Sequence, residues 1–129
     1  MNAKLIVGFV LVFGFVASIG AQSAKYNAAG DLTYIGDLLA DATGCEPSRV
    51  FSGKISKVEE FAGDSSDGWE FVLAIAKGRP MRLQASLSHD DGAVLADFDD
   101  LIQVGRRLKV SARQCGSGGH WTAVQIWRL

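Results

Sequence analysis

The tightest constraint on this chain is the two-residue alternation that runs from Trp69 to Ser88. Trp69, Phe71, Leu73 and Ile75 fall on one side of an extended backbone, with Glu70, Val72, Ala74 and Ala76 on the other. Met81, Leu83, Ala85 and Leu87 then share one face, and Arg82, Gln84, Ser86 and Ser88 the opposite one. Successive side chains of a strand point to opposite faces. The stretch therefore predicts two antiparallel strands joined at Lys77-Gly78, each with one buried and one solvated face. Upstream, Arg49 to Phe61 reads as another strand, with Phe51, Gly53 and Ile55 on one face. Val58 and Phe61 break its alternation, so a bulge or bend is expected near Ser56-Lys57. The polar run Ala62 to Gly68 reads as the turn that follows.

After Ser88, the residues Val94, Leu95, Phe98, Leu101 and Ile102 recur at helical spacing, which predicts a short helix ending before Gly105. Asp97, Asp99 and Asp100 read as its solvent face. A fourth strand, Arg106 to Cys115, buries Leu108, Val110 and Ala112; Gly116-Ser117-Gly118-Gly119 turns the chain into a last strand from His120 to Leu129. On that strand Thr122, Val124 and Ile126 share one face and Trp121, Ala123, Gln125 and Trp127 the other.

Three strands, a helix and two strands, with a curved glycine-containing first strand and a tight second hairpin, resemble the OB-fold. The resemblance spans residues 49–129 and is closest to secreted bacterial OB-fold domains, which follow a signal peptide and end in a strand of the Thr122-Ala123-Val124-Gln125-Ile126-Trp127 type. It implies an all-β domain with accessory helices, built as a five-stranded barrel that binds ligands across its second and third strands.

Residues 1–23 have the form of a secretory signal peptide. Lys4 precedes an apolar run from Leu5 to Ile19, and Ala21-Gln22-Ser23 offers small residues for cleavage after Ala21 or Ser23. The competing reading is a permanent anchor, which needs about 20 apolar residues; the shorter run favours removal and a secreted or periplasmic product without one. Cys45 and Cys115, the only cysteines, would then mature under oxidising conditions and are expected to pair; two unpaired thiols are the alternative. Closing a loop of this length removes unfolded-chain entropy worth about 4 kcal/mol. Between the leader and the barrel-like region, residues 24–48 form an N-terminal extension. In it Tyr34, Ile35, Leu38, Leu39 and Ala42 fall on one face at helical spacing, which predicts an amphipathic helix capped by Asp31 or Thr33 and ended by Gly44.

No catalytic pattern stands out. Gly63-Asp64-Ser65-Ser66-Asp67-Gly68 is like the serine segment of trypsin-like proteases, but neither His89 nor His120 precedes it as that family requires, and a turn explains it. His89-Asp90-Asp91 does not reproduce a calcium loop, and the two histidines lack partners at zinc-ligand spacing. The expected protein is a non-catalytic binding module with no cofactor and no metal, taking a small molecule, a glycan or a protein partner. Candidate ligand-binding residues are Lys54, Arg82, Gln84 and Arg107 with Trp121 and Trp127; the tryptophans instead pack under the N-terminal helix if that helix covers them. Interleaved arginines and aromatics would also suit single-stranded nucleic acid. Once the leader is removed the chain has 12 basic against 14 acidic residues, which disfavours a polyanion partner. A small secreted hydrolase or metal-dependent enzyme is the remaining alternative.

Overall fold

The computed structural model describes residues 23–116 and 118–129. The expected leader lies outside the described residues except for Ser23. The elements in chain order are β1 (Ser23–Tyr26), β2 (Leu32–Gly36), β3 (Arg49–Ala62), β4 (Ser66–Ala74), β5 (Met81–Ser88), a 3-10 turn (His89–Asp91), α1 (Gly92–Leu101), β6 (Arg107–Cys115) and β7 (His120–Arg128). The protein is mostly β. Among the described residues no helix is long and apolar enough to cross a membrane.

The strands form one sheet in the order β1-β2-β7-β5-β4-β3-β6, and β6 also pairs with β7. From β7 onward the pairings thus run through β5, β4, β3 and β6 and return to β7. Among the described residues only the β5–β7 pairing is parallel. Strand β3 serves both halves of this ring: residues 49–54 pair with β6 and residues 54–62 with β4. Gly53 sits at the crossover, where a Cβ would come 2.5 Å from the Ala74 carbonyl oxygen; only glycine lets the two backbones approach so closely. The expected bulge is present, with the register shifting between Ile55 and Lys57 so that Ile55 faces Leu73 and Val58 faces Phe71.

The alternating residues fill the interior as their period requires. Ile55, Phe71, Leu73, Leu83, Leu87, Leu108, Val110 and Ile126 are all buried. Helix α1 packs Phe98 and Leu101 into the same core. The Phe98 ring meets Trp69 edge-on at 4.6 Å between centroids, and Trp69 Nε1 donates to Asp99 Oδ1 at 3.2 Å. The helix's other aspartates are engaged as well: Tyr26 OH donates to Asp97, and Arg106 donates to the Asp100 carbonyl. The face expected to be merely solvated instead fastens the helix to β1, β4 and the approach to β6. Strand β4 also starts earlier than its apolar run, because Ser66, Asp67 and Gly68 pair with Ser88, Leu87 and Ser86.

Residues 24–48 hold most of β1, all of β2 and a loop, and the part expected to form an amphipathic helix, from Asp31 to Gly44, is β2 and that loop. Leu32-Thr33-Tyr34-Ile35 is rich in β-branched and aromatic residues that suit a pleated surface, and β7 offers it an edge: Tyr34 lies opposite Trp127 and Ile35 opposite Ile126. Ile35 and Leu38 are buried as their spacing suggested. Asp37, at φ 56°, ends the strand, and the Leu38 N–H donates to the Val124 carbonyl at 3.1 Å. Leu39 is only half-buried and Ala42 is exposed. Sheet pairing over long sequence separation has overridden a local helical pattern. The loop ends at Cys45, which is disulfide-bonded to Cys115 with the Cα atoms 4.0 Å apart. Beside the bond, Glu46 N–H donates to the Gln114 carbonyl and Gly116 N–H to that of Gly44. The pairing inferred from the cysteine count is therefore present, and a disulfide is compatible with a periplasmic or extracellular location.

Candidate functional site

Partner residues in a ladder share a face of the sheet, so the register fixes what the outer surface of β3, β4 and β5 presents. One row is Phe61, Gly68 and Ser86. The next is Glu59, Glu70 and Gln84, extended onto β7 by Thr122; a third is Lys57, Val72 and Arg82. An open groove of about 380 Å³ follows the first two rows, lined by Phe61, Gly68, Glu70, Gln84, Ser86 and Thr122. It continues past Glu70 and Gln84 into a second hollow of about 260 Å³ bordered by Arg82, His120 and Trp121.

The groove exists because Gly68 has no side chain between two larger neighbours. Phe61 forms its wall and is 54% exposed, an unusual position for a phenylalanine on a paired strand. A chain bulged once at Ser56 restores Val58 to the interior but leaves Phe61, three residues later, on the outer face. Sequence parity corrected for that bulge contains this signal, yet Phe61 was expected to turn inward with Val58. Arg82 and Glu70 form an ion pair of 3.5 Å along the floor, with the arginine side chain 60% exposed and the glutamate 18%. Exposed pairs of this kind contribute little to stability, about 0–1 kcal/mol. The exposed Arg82 can therefore turn to a ligand at small cost.

On the other face of the sheet from Phe61 and Gly68, Glu60 is the register partner of Trp69 and approaches Asp99. A hydrogen bond to Asp99 raises the Glu60 pKa, helped by partial burial and repulsion from Asp99 and Asp67. Nearby, His89 Nε2 and Asp67 Oδ1 lie 2.9 Å apart, linking the 3-10 turn to β4. Among the described residues no three His, Cys, Asp or Glu side chains gather so as to hold a metal ion.

The six expected ligand residues fall in four places. Gln84 lies in the groove and Arg82 borders the hollow that continues it, both facing outward as alternation predicts. Lys54 and Arg107 are register partners on β3 and β6 and line a separate cavity of about 490 Å³. The tryptophans do not share a face. The pairing of Ser111 with Gln125 and of Ala112 with Ala123 leaves Val124 bulged out of register, which reverses parity between Trp121 and Trp127. Trp121 therefore packs toward the core and meets Phe51 edge-on at 5.1 Å. Trp127 lies outside, 5.4 Å from the Tyr34 ring, with Lys109 Nζ 4.6 Å above it. Neither ring lies beneath an N-terminal helix, since that segment is a strand. No protein-family model, curated protein or solved structure matches the chain.

Proposed function

We propose that the protein is a non-catalytic binding module of the periplasm or extracellular space, that β3 to β7 form an OB-type barrel, and that the β4–β5 groove takes a small polar ligand with one apolar face, such as a sugar ring. Strand order and the returning ring of pairings support the barrel. The observation that carries the ligand reading is the exposed Phe61 ring standing over a glycine floor, with Glu70, Gln84, Ser86 and Thr122 around it. An aromatic wall can cover the apolar face of a pyranose while amide, hydroxyl and carboxylate groups satisfy its hydroxyls. Pockets of a few hundred Å³ with few polar groups are typical of small-ligand sites.

The test is a titration of the folded protein with a panel of soluble mono- and oligosaccharides, followed by amide chemical shifts. Saturable shifts at Gly68, Gln84 and Ser86 are expected with at least one sugar. Phe61→Ala should weaken that binding by about tenfold, a loss of ~1.4 kcal/mol. Gly68→Val should abolish it without unfolding the chain, because a Cβ at Gly68 would meet nothing closer than the Ala85 carbonyl oxygen at 3.8 Å. Salt-dependent binding of single-stranded oligonucleotides at the same amides, with no response to sugars, would overturn the reading.

A further inference from the structure

Lys54 and Arg107 lie directly opposite each other in the β3–β6 ladder, on the same face. Like charges in that relation destabilise a sheet, and elsewhere the protein compensates for them. Glu59 and Glu70 also face each other across β3 and β4, and each has a cation: Lys57 is 3.9 Å from Glu59 and Arg82 3.5 Å from Glu70. Arg106 reaches Asp100, and Lys25 and Lys109 sit over aromatic rings. Among the described residues Lys54 and Arg107 have no ion-pair partner.

The two cations border a concavity rather than a convex surface. The cavity of about 490 Å³ is lined further by Ser52, Gly53, Ala74, Ala76 and Leu129, whose N–H donates to the Arg107 carbonyl, and no acidic side chain lines it. The small residues keep it open, and Ser52 supplies a hydroxyl that can donate. We infer that this cavity is a binding site for a tetrahedral oxyanion, the phosphate or sulfate of a small ester or of a lipid headgroup, held between the Arg107 guanidinium and the Lys54 ammonium. Arginine presents a planar fork suited to two oxygens of such a group, and lysine adds a point charge. An anion there converts an unfavourable cross-strand pair into two charge-assisted contacts. The site is distinct from the β4–β5 groove and stands or falls independently of it.

The experiment is an amide-shift and thermal-unfolding titration with inorganic phosphate and sulfate at constant ionic strength, with chloride as control. Saturable shifts confined to Ser52–Lys54 and Arg107, and a rise in Tm with phosphate or sulfate but not chloride, are expected. Arg107→Gln and Lys54→Gln should each weaken the response by about tenfold while leaving any sugar response of the groove unchanged. Both residues are exposed, so the variants fold. In a second arm, sedimentation with phosphatidylglycerol vesicles against phosphatidylcholine vesicles separates the sources. Vesicle binding lost in Arg107→Gln assigns a headgroup, and phosphate binding without vesicle binding assigns a soluble ester. Shifts equal in chloride, unchanged in both variants, or absent altogether overturn the site.

Discussion

Two patches of the outer surface are built from similar residues, and they differ in whether the chain itself completes them. Across β1, β2, β7 and β6 the rings and cations alternate: Lys25 lies 5.4 Å from the Tyr34 ring, Tyr34 tilts against Trp127, and Lys109 covers Trp127. Gln125 Nε2 donates to the Tyr34 hydroxyl at 2.9 Å, and that hydroxyl curls over Gly36, where any Cβ would collide with it. Each group there has a partner from a neighbouring strand, so the patch stabilises the sheet and offers little to a ligand. Across β3, β4 and β5, Phe61 stands beside Gly68 and is 54% exposed, and only the arginine of the Glu70–Arg82 pair is open to solvent. Residue type does not separate these patches. Register does, because it decides whether a ring meets a lysine or a glycine.

The closed patch depends on strands β1 and β2, and the loop that follows β2 is anchored by the disulfide. Replacing both cysteines by serine should therefore have the largest effect, a loss of about 4 kcal/mol for a loop of this length. Urea unfolding of oxidised protein and variant measures it; equal midpoints would mean that the loop is held by its hydrogen bonds alone. Trp127→Ala removes the centre of the ladder and should cost about 2 kcal/mol, below the range for a fully buried tryptophan, while leaving ligand shifts in the groove intact.

Tyr26 joins β1 to α1 through Asp97, and partial burial, the hydrogen bond and the aspartate charge push its pKa up to about 12. A phenol raised in the folded state contributes stability that is fully present below its ordinary value near 10 and is lost as pH rises through about 12. Ultraviolet titration should thus show a tyrosine ionising near the upper value and disappearing in Tyr26→Phe. Phe61→Ala should change stability by less than about 0.5 kcal/mol, because its ring touches solvent; a larger loss would show the groove wall to be structural. The smallest effect belongs to Glu60. Its raised pKa means a contribution present below the ordinary glutamate range and lost as pH rises through the folded value. Glu60→Gln should accordingly flatten the difference in urea midpoint between mildly acidic and neutral pH.

Much of residues 49–129 could be read from residue order because the signals there are local. The period of two in Trp69–Leu73 and Met81–Leu87 is set by backbone geometry, and the stripe of Val94, Leu95, Phe98 and Leu101 by the turn of a helix. The Ser56 bulge was equally visible, since Val58 cannot be buried without it. The pairing of Cys45 with Cys115 followed from the cysteine count together with the leader-like start. Other features needed the assembled chain. Residues 32–36 satisfy both a helical and an extended pattern, and the choice fell to the edge of β7, more than ninety positions away in sequence. The bulge at Val124 has no apolar clue of its own, so Trp121 and Trp127 parted faces only when β6 and β7 were paired. Alternation places Arg82 and Gln84 outward, but the joining of Gln84 with Phe61 and Gly68 into a groove, and of Arg82 with the hollow beside it, comes from register. Local periodicity states which way a side chain points; only the pairing of distant strands determines what it points at.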